Sequence, residues 1–336
     1  MSNVIEREIV AAVDLCRPDG TLNPAAIGWS RKPLLRTRLP RGLGAWGRNK
    51  RWEYWGITTP THVVALTVSS LDYAAVHQVW VLDRVRRTAI DEVAIVPFAA
   101  GVELPESLGD GPTRARGRRL SIAIDADERG AVLAARTPRI AVDLRIDRPP
   151  GHECLAVVVP WSARRYQYTV KDLALPASGR LVIDGEAITV PAGDSWAVLD
   201  HGRGRWPYAM TWNWGAGFGR IAGQIIGLQV GGKWTDGTGS TENALFVAGR
   251  AHKIGEELVW DYDRREFTAP WRIRGERADL SFEPYYERAA RTDLGLLFNE
   301  THQCFGRWTG WAADDRGQRV RVDGLEGWAE EVRNRW

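Results

Sequence analysis

Cysteine and long apolar runs are scarce in this chain of 336 residues. The three cysteines, Cys16, Cys154 and Cys304, lie far apart and form no CxxC pair. This pattern argues against a disulfide framework or a zinc ribbon and fits a reducing compartment. No stretch approaches the ~18 uninterrupted apolar residues of a membrane span, and the N-terminus lacks the apolar core of a secretory signal. We therefore expect a cytoplasmic protein without an integral membrane segment.

A marked excess of one charge is also missing. The 45 basic and 42 acidic residues leave a net charge of +3, which does not indicate a basic stripe for nucleic acid. Residues 227–233 have the spacing of a phosphate-binding loop, but Trp234 follows where Ser or Thr would hold magnesium. The six histidines form no HxH or HxxxH pair. We predict no nucleic-acid partner, no cofactor and no metal site.

From His62 onward, apolar and polar residues alternate with a period of two. About twenty such segments are separated by turn sequences such as Asp184-Gly185, without intervening helical patterns. Antiparallel sheets of this extent must curl or close, and a chain of this length exceeds what one core usually covers. The sequence predicts an all-β protein of two packed halves, residues 1–178 and 179–336, with a boundary that could lie as late as about 240.

The first sixty residues are irregular and rich in Pro, Gly and Arg. Within them, Ile5, Ile9, Val10 and Val13 recur at helical spacing. We therefore predict one short helix over residues 5–15, ended by turn-forming residues at 16–20.

The most unusual feature is the presence of 17 tryptophans, which can wall an apolar cavity or fill a core. In residues 195–219 an apolar strand ends in Asp200 and His201, and we expect these two to be catalytic acid/base residues. A second polar cluster, Ser240-Thr-Glu-Asn243, opens another apolar strand, where Glu242 and Asn243 either point into a cavity or cap the loop. The expected ligand-binding residues of both blocks are Arg203, Arg205, Trp206, Tyr208, Trp212, Trp214, Glu242 and Asn243. The alternative is structural: Asp200 pairs with Arg203 or Arg205 at a strand corner, and the tryptophans are core.

Several sequence blocks resemble a bacterial family known only as domain of unknown function 2804. These are residues 14–30, Lys50-Arg-Trp-Glu-Tyr-Trp55, Asp200-His-Gly-Arg-Gly-Arg-Trp-Pro-Tyr208 and Trp212-Asn-Trp214. More distantly, the Asp-His block with its Trp-x-Trp strand is similar to tandem lipocalin-like proteins, which include carotenoid 1,2-hydratases and fungal pericyclic cyclases of decalin biosynthesis. The resemblance implies two lipocalin-like barrel or sandwich halves. No catalytic residue of those enzymes aligns with this chain.

These features leave three functions open. The first is a cofactor-independent hydratase, isomerase or cyclase acting on a hydrophobic, unsaturated small molecule. Asp200 or His201 would move the proton, the aromatic rings would shield a cationic intermediate, and Arg203 and Arg205 would hold a carboxylate or oxyanion. The second is a non-catalytic carrier of a hydrophobic ligand. The third is a scaffold whose tryptophans are packed solid.

Overall fold

The computed structural model describes residues 6–42 and 44–336. Within these residues the chain is built almost entirely from antiparallel strands, and the one helical element is a 3-10 turn at Pro24–Ala26. A small parallel pair joins β1 (Val13–Asp14) to β3 (Leu35–Arg36). All other strands belong to two large sheets.

The first sheet has fourteen strands and runs in the order β7-β6-β5-β4-β16-β14-β12-β11-β10-β9-β8, with β2, β13 and β15 attached at its side. Its strands are β2 (Trp29–Ser30), β4 (Lys50–Thr58), β5 (His62–Ser70), β6 (Ala74–Asp83), β7 (Thr88–Pro97), β8 (Val102–Glu103), β9 (Thr113–Arg116), β10 (Ser121–Asp127), β11 (Gly130–Arg136), β12 (Ile140–Asp147), β13 (Leu155–Ser162), β14 (Arg165–Ile183), β15 (Glu186–Val190) and β16 (Trp196–Arg205).

The second sheet has ten strands in the order β20-β19-β18-β17-β26-β24-β23-β22-β21, with β25 paired to β24. Its strands are β17 (Ala209–Ile221), β18 (Gln224–Gly232), β19 (Ala244–Val247), β20 (Arg250–Lys253), β21 (Val259–Asp261), β22 (Trp271–Arg274), β23 (Ala278–Asp293), β24 (Phe298–Ala313), β25 (Arg319–Arg321) and β26 (Leu325–Arg335).

Both sheets curl into half-barrels, and the long strand β14 illustrates how. Its first part pairs with β13 and β16, and its second part pairs with β12 and β15. The register shifts between Asp172 and Leu175, where Ala174 adopts a positive φ of 57°. Such irregularities bend a strand and increase its twist. The all-β, two-half architecture predicted from the sequence is confirmed.

Three of the apolar regions within the described residues are extensive and are formed by the curled sheets. One fills the interior of the first half, around Leu66 and Leu144, and another fills the second half, around Trp271 and Trp308. The third region contains side chains from both sheets, including Val198 of β16 and Trp214 of β17. We call it the inter-sheet layer. The chain passes from one sheet to the other between Arg205 and Ala209. The boundary at 178/179 stays a prediction for the domains, and β14 runs through that position.

The predicted helix over residues 5–15 is wrong for residues 6–15, and Ile5 lies outside the described residues. The segment is extended, because its main chain bonds to other strands: Ile9 N donates to Trp29 O at 2.7 Å. Ile9 and Leu15 are buried, whereas Val10 is 82% exposed. Pairing with the first sheet therefore overrides the helical spacing.

Across residues 6–42 and 44–336, no helix is long and apolar enough to cross a membrane.

Candidate functional site

The central strand of the first sheet, β16, presents different chemistry on its two faces. All ten of its residues are buried between β4 and β14. Successive side chains alternate between faces. Val198 packs in the inter-sheet layer, and Leu199 packs inside the first half. Asp200 therefore faces the inter-sheet layer, and His201 faces the opposite side.

Asp200 is held by three donors from neighbouring strands. Trp52 Nε1 donates to its Oδ2 at 3.1 Å, and Thr169 Oγ1 donates to its Oδ1 at 3.1 Å. Lys171, directly opposite in the register, places Nζ 3.0 Å from Oδ2. Of the Asp200 side chain, 12% remains accessible. Asp200 is thus a nearly buried carboxylate within reach of solvent.

The second half brings two further carboxyl groups toward the same ammonium, Glu242 from the segment before β19 and Glu330 from β26. Glu242 Oε1 lies 3.4 Å from Lys171 Nζ. Glu330, on β26 opposite Trp214, accepts hydrogen bonds from Trp212 Nε1 at 3.1 Å and from a glutamine, Gln303 Nε2, at 3.0 Å. The Lys171 ammonium also stands 3.9 Å from the centre of the Trp214 ring, which is a favourable cation–π geometry. We call Lys171, Asp200, Glu242 and Glu330 the carboxyl cluster.

Burial tunes the proton affinities in the carboxyl cluster. It raises the pKa of Glu242 to about 7 against the opposing charge of Lys171, and the charge of Asp200 raises it further. Burial also raises the pKa of Glu330 to about 7, although its bond from Trp212 acts the other way. For Lys171, burial alone would lower the pKa, but Asp200 and Glu242 outweigh it and the pKa is raised. Two of the carboxyl groups can therefore exchange protons near neutral pH.

A phenol hydroxyl adds to this group. Tyr54 pairs with Asp200 in the β4–β16 register, and its ring meets Trp214 and Trp328 edge-on at centroid distances of 5.7 and 6.1 Å. Its hydroxyl is buried and has no hydrogen-bond partner within the described part of the chain. Burial raises the pKa of this hydroxyl. Because buried polar atoms are normally paired, this hydroxyl is available to a ligand or to water.

Tryptophan rings separate the carboxyl cluster from solvent. Trp206 lies at the centre, and its ring centroid is 4.9 to 5.8 Å from those of five others. Trp206 and Trp234 are buried, and the remaining four are half-buried. We call this set the tryptophan cluster: Trp52, Trp161, Trp206, Trp212, Trp234 and Trp336.

Glycines on the Asp200 face make room for these rings. A Cβ at Gly202 would clash with the Trp52 ring, and one at Gly204 would clash with Gln167. Gln167 in turn accepts a hydrogen bond from Trp206 Nε1 at 2.7 Å. The glycines of the Asp200–Tyr208 block thus allow aromatic side chains to lie directly on the backbone of β16.

The other face of β16 carries His201 and Arg203. His201 is fully buried, and its Nδ1 lies 3.4 Å from Glu53 Oε1. Burial, with the charge of Arg203, lowers the pKa of His201 to about 4, although Glu53 opposes this. Arg203 donates to the main-chain oxygens of Pro105 and Trp52, each at 2.9 Å. The structure therefore does not bring His201 or Arg203 to the carboxyl cluster, and Arg203 braces the backbone.

The other predicted site residues divide into two sets. Arg205 lies beside Tyr166 in the β14–β16 register, away from Asp200. Tyr208 is 52% exposed and donates to Leu296 O. Asn243 bonds the main chain at Gly231 N (2.7 Å) and Glu256 O (2.8 Å). The structure does bring Trp212, Trp214 and Glu242 to the carboxyl cluster, and it places Trp206 in the adjoining tryptophan cluster.

Sequence reasoning missed five members of this site: Lys171, Glu330, Trp52, Tyr54 and Gln303. Lys171 and Glu330 carried one signal, since each is a charged residue inside a mainly buried strand. Such charges are rarely buried unless they are paired. Within the described residues, no group of three or more His, Cys, Asp or Glu side chains is arranged to hold a metal ion.

The fold of two packed, curled β halves is lipocalin-like. The chain is similar to an AttH candidate from Nitrosomonas europaea, with a TM-score of 0.53 and 12% identity over 86% of this chain and 93% of that one. It is also similar to kievitone hydratase from Nectria haematococca, with a TM-score of 0.51 and 11% identity over 85% of this chain and 88% of that one. The structure of CghA with Sch210972 has a TM-score of 0.53 and 12% identity over 85% of this chain and 88% of that one.

The chain belongs to the family described as Domain of unknown function (DUF2804), whose model matches residues 6–336. No curated protein matches the sequence.

Proposed function

We propose that this protein is a cofactor-independent enzyme of the hydratase or isomerase type, acting on a hydrophobic, unsaturated small molecule in the inter-sheet layer. One observation carries the proposal: two carboxyl groups lie within 3.4 Å of a single buried ammonium, and the charge of a third, Glu330, acts on it as well, with tryptophan rings between this group and solvent. Two of these carboxyl groups have a pKa of about 7. The fold similarity to a hydratase supports the same class.

The chemistry follows from the protonation states. Glu242 or Glu330 in its acid form donates its proton to one carbon of a C=C bond, which forms a C–H bond and leaves a cation on the other carbon. The faces of the Trp214 and Trp212 rings stabilise that cation. In a hydration, water then forms the C–O bond and its proton passes to a carboxylate. In an isomerisation, a C–H proton passes to that carboxylate instead.

Asp200 is assigned the role of acceptor. Its oxygens already accept from Trp52, Thr169 and Lys171, and 12% of its side chain is accessible to an incoming group. It can therefore accept a hydrogen bond from the attacking water or from a ligand hydroxyl. His201 has no role in this scheme because it faces the interior of the first half.

The experiment is a screen of terpenoids and polyenes, in which binding is followed by tryptophan fluorescence and product by mass spectrometry. With a turned-over compound, Glu242→Gln and Glu330→Gln should leave binding intact. At least one of them should lower kcat by 10² or more, as expected for loss of a general acid. Asp200→Asn should also lower kcat, and the matched control His201→Gln should not.

The result that would contradict the proposal is wild-type turnover in all three carboxyl variants. Binding without conversion of any compound would favour a carrier, which the apolar inter-sheet layer also suits. Because the half-buried rings of the tryptophan cluster cover Asp200, entry of a ligand requires these rings to move. We therefore expect a large fluorescence change in either case.

A further inference from the structure

A second buried cation borders the tryptophan cluster at its outer end. Lys50 begins β4 and is only 3% exposed. Its Nζ donates to one partner, the main-chain oxygen of Gly47, at 3.3 Å. No carboxylate of the described residues forms a salt bridge with it, whereas Lys171 is paired with both Asp200 and Glu242. Since burying an unpaired ammonium is costly, this position is suited to an anion.

Aromatic rings connect Lys50 to the tryptophan cluster. Its Nζ lies 4.9 Å from the ring centre of Tyr73 and 5.4 Å from that of Trp336. Trp336 in turn lies 5.7 Å from Trp206 between ring centroids. An anion bound at Nζ would therefore have its apolar remainder among the tryptophans.

The local electrostatics also suit an anion. Burial lowers the pKa of Lys50 to about 8, the charge of Asp72 acts against this, and the charge of Arg165 lowers the pKa further. Asp72 is itself bonded to Arg51 at 3.1 Å. A bound anion would favour the charged form of Lys50 and relieve its repulsion with Arg165.

The strand sets the distance between Lys50 and the carboxyl cluster. Every second side chain of a strand lies on the same face, so Lys50, Trp52 and Tyr54 share one face of β4. Tyr54 pairs with Asp200 in the register, and Lys50 pairs with Gly204. Four residues of an extended strand span about 13 Å. Rings of the tryptophan cluster fill the space between the two ends.

We propose that Lys50 binds the carboxylate of the substrate, so that the substrate class is an unsaturated, apolar carboxylic acid. This inference rests on the proposed function, because it assumes that the tryptophan cluster and inter-sheet layer receive the ligand. It assigns to Lys50 the anion-binding role that the sequence suggested for Arg203 and Arg205.

The test compares cis-parinaric acid with its methyl ester, which share one polyene chain and differ in charge. Binding is measured by quenching of tryptophan fluorescence. We expect the wild-type protein to bind the acid at least tenfold more tightly than the ester, as for a hydrogen bond between charged groups. Lys50→Met should remove this preference while keeping ester affinity, Lys50→Arg should retain it, and the control Lys32→Met, at an exposed lysine, should leave it unchanged.

The outcomes separate the two proposals. Equal affinity of the wild-type protein for acid and ester would overturn the role of Lys50 and leave the proposed function standing. An acid preference that survives in Lys50→Met would do the same. Failure of both probes to bind would overturn both proposals. Circular dichroism establishes whether Lys50→Met is folded; if it is not, Lys50→Gln takes its place.

Discussion

Replacing Glu330 with glutamine is expected to stabilise the protein above neutral pH and to change it little in acid. The pKa of the Glu330 carboxyl group is about 7 in the folded protein, whereas its ordinary value is 4.5. As pH rises from 4.5 to 7, the unfolded chain loses this proton while the folded chain retains it. The free energy of unfolding therefore falls across that window and is level above it.

The magnitude follows from the width of the window. One pH unit corresponds to about 1.4 kcal/mol, so the wild-type protein loses about 3 kcal/mol at this residue between pH 4.5 and pH 8. Glutamine does not ionise, and its Oε1 can still accept from Trp212 Nε1. Losing the bond from Gln303 costs about 1 kcal/mol, but that cost is the same at every pH. The informative quantity is therefore the change in the unfolding free energy of the variant relative to wild type between pH 4.5 and pH 8.

Urea unfolding followed by tryptophan fluorescence at pH 4.5, 6 and 8 measures this difference. Relative to wild type, Glu330→Gln should gain about 3 kcal/mol of unfolding free energy between the lowest and highest pH. Glu128→Gln, at an exposed hairpin residue, should gain nothing. If the two variants give the same pH profile, Glu330 does not hold its proton in the folded state.

Three further predictions concern residues on β16 or packed against its two faces. Lys171→Met removes the one ammonium of the carboxyl cluster and should lower the free energy of unfolding by about 3–5 kcal/mol at pH 8. In urea titrations this loss should be smaller at pH 5.5, because the carboxyl groups can then take up protons. An equal loss at both pH values would contradict the prediction. Gly202→Ala forces the Trp52 ring off the strand and should destabilise by about 1–3 kcal/mol, with a shifted tryptophan emission; an unshifted spectrum would count against it. His201 contributes an acid sensitivity of about 3 kcal/mol, because its pKa of about 4 in place of 6.5 lowers its contribution to the unfolding free energy as pH drops from 6.5 to 4. Relative to wild type, His201→Gln should therefore gain about 3 kcal/mol of unfolding free energy across that range. A difference between the two proteins that does not change between pH 6.5 and pH 4 would refute this last prediction.

The sequence allowed the fold class to be predicted because alternation and turn residues are local signals. It also allowed a cluster around Asp200 to be predicted, since Trp206, Trp212 and Trp214 follow within fifteen residues. The predicted helix failed over residues 6–15, because the hydrogen bond from Ile9 N to Trp29 O on a distant strand is not encoded by local spacing.

Other parts of the site depend on strand register. Lys171 meets Asp200 because β14 and β16 pair antiparallel, and Glu330 arrives from the other sheet through β26. Neither pairing leaves a local sequence signal. The grouping of Asp200 with His201 had a simpler fault, because neighbouring residues in a strand point to opposite faces.

The alternation along β16 means that one short sequence serves two separate compartments. The odd-numbered residues His201 and Arg203 are constrained by hydrogen bonding inside the first half. The even-numbered residues Asp200 and Gly202 are constrained by the aromatic surface on the opposite face. Variants across this block should therefore sort with a period of two: thermal melting would detect variants of both sets, whereas only variants of Asp200 and Gly202 would alter ligand titration. A mutational scan read position by position would show two interleaved patterns of tolerance where the primary structure displays a single motif.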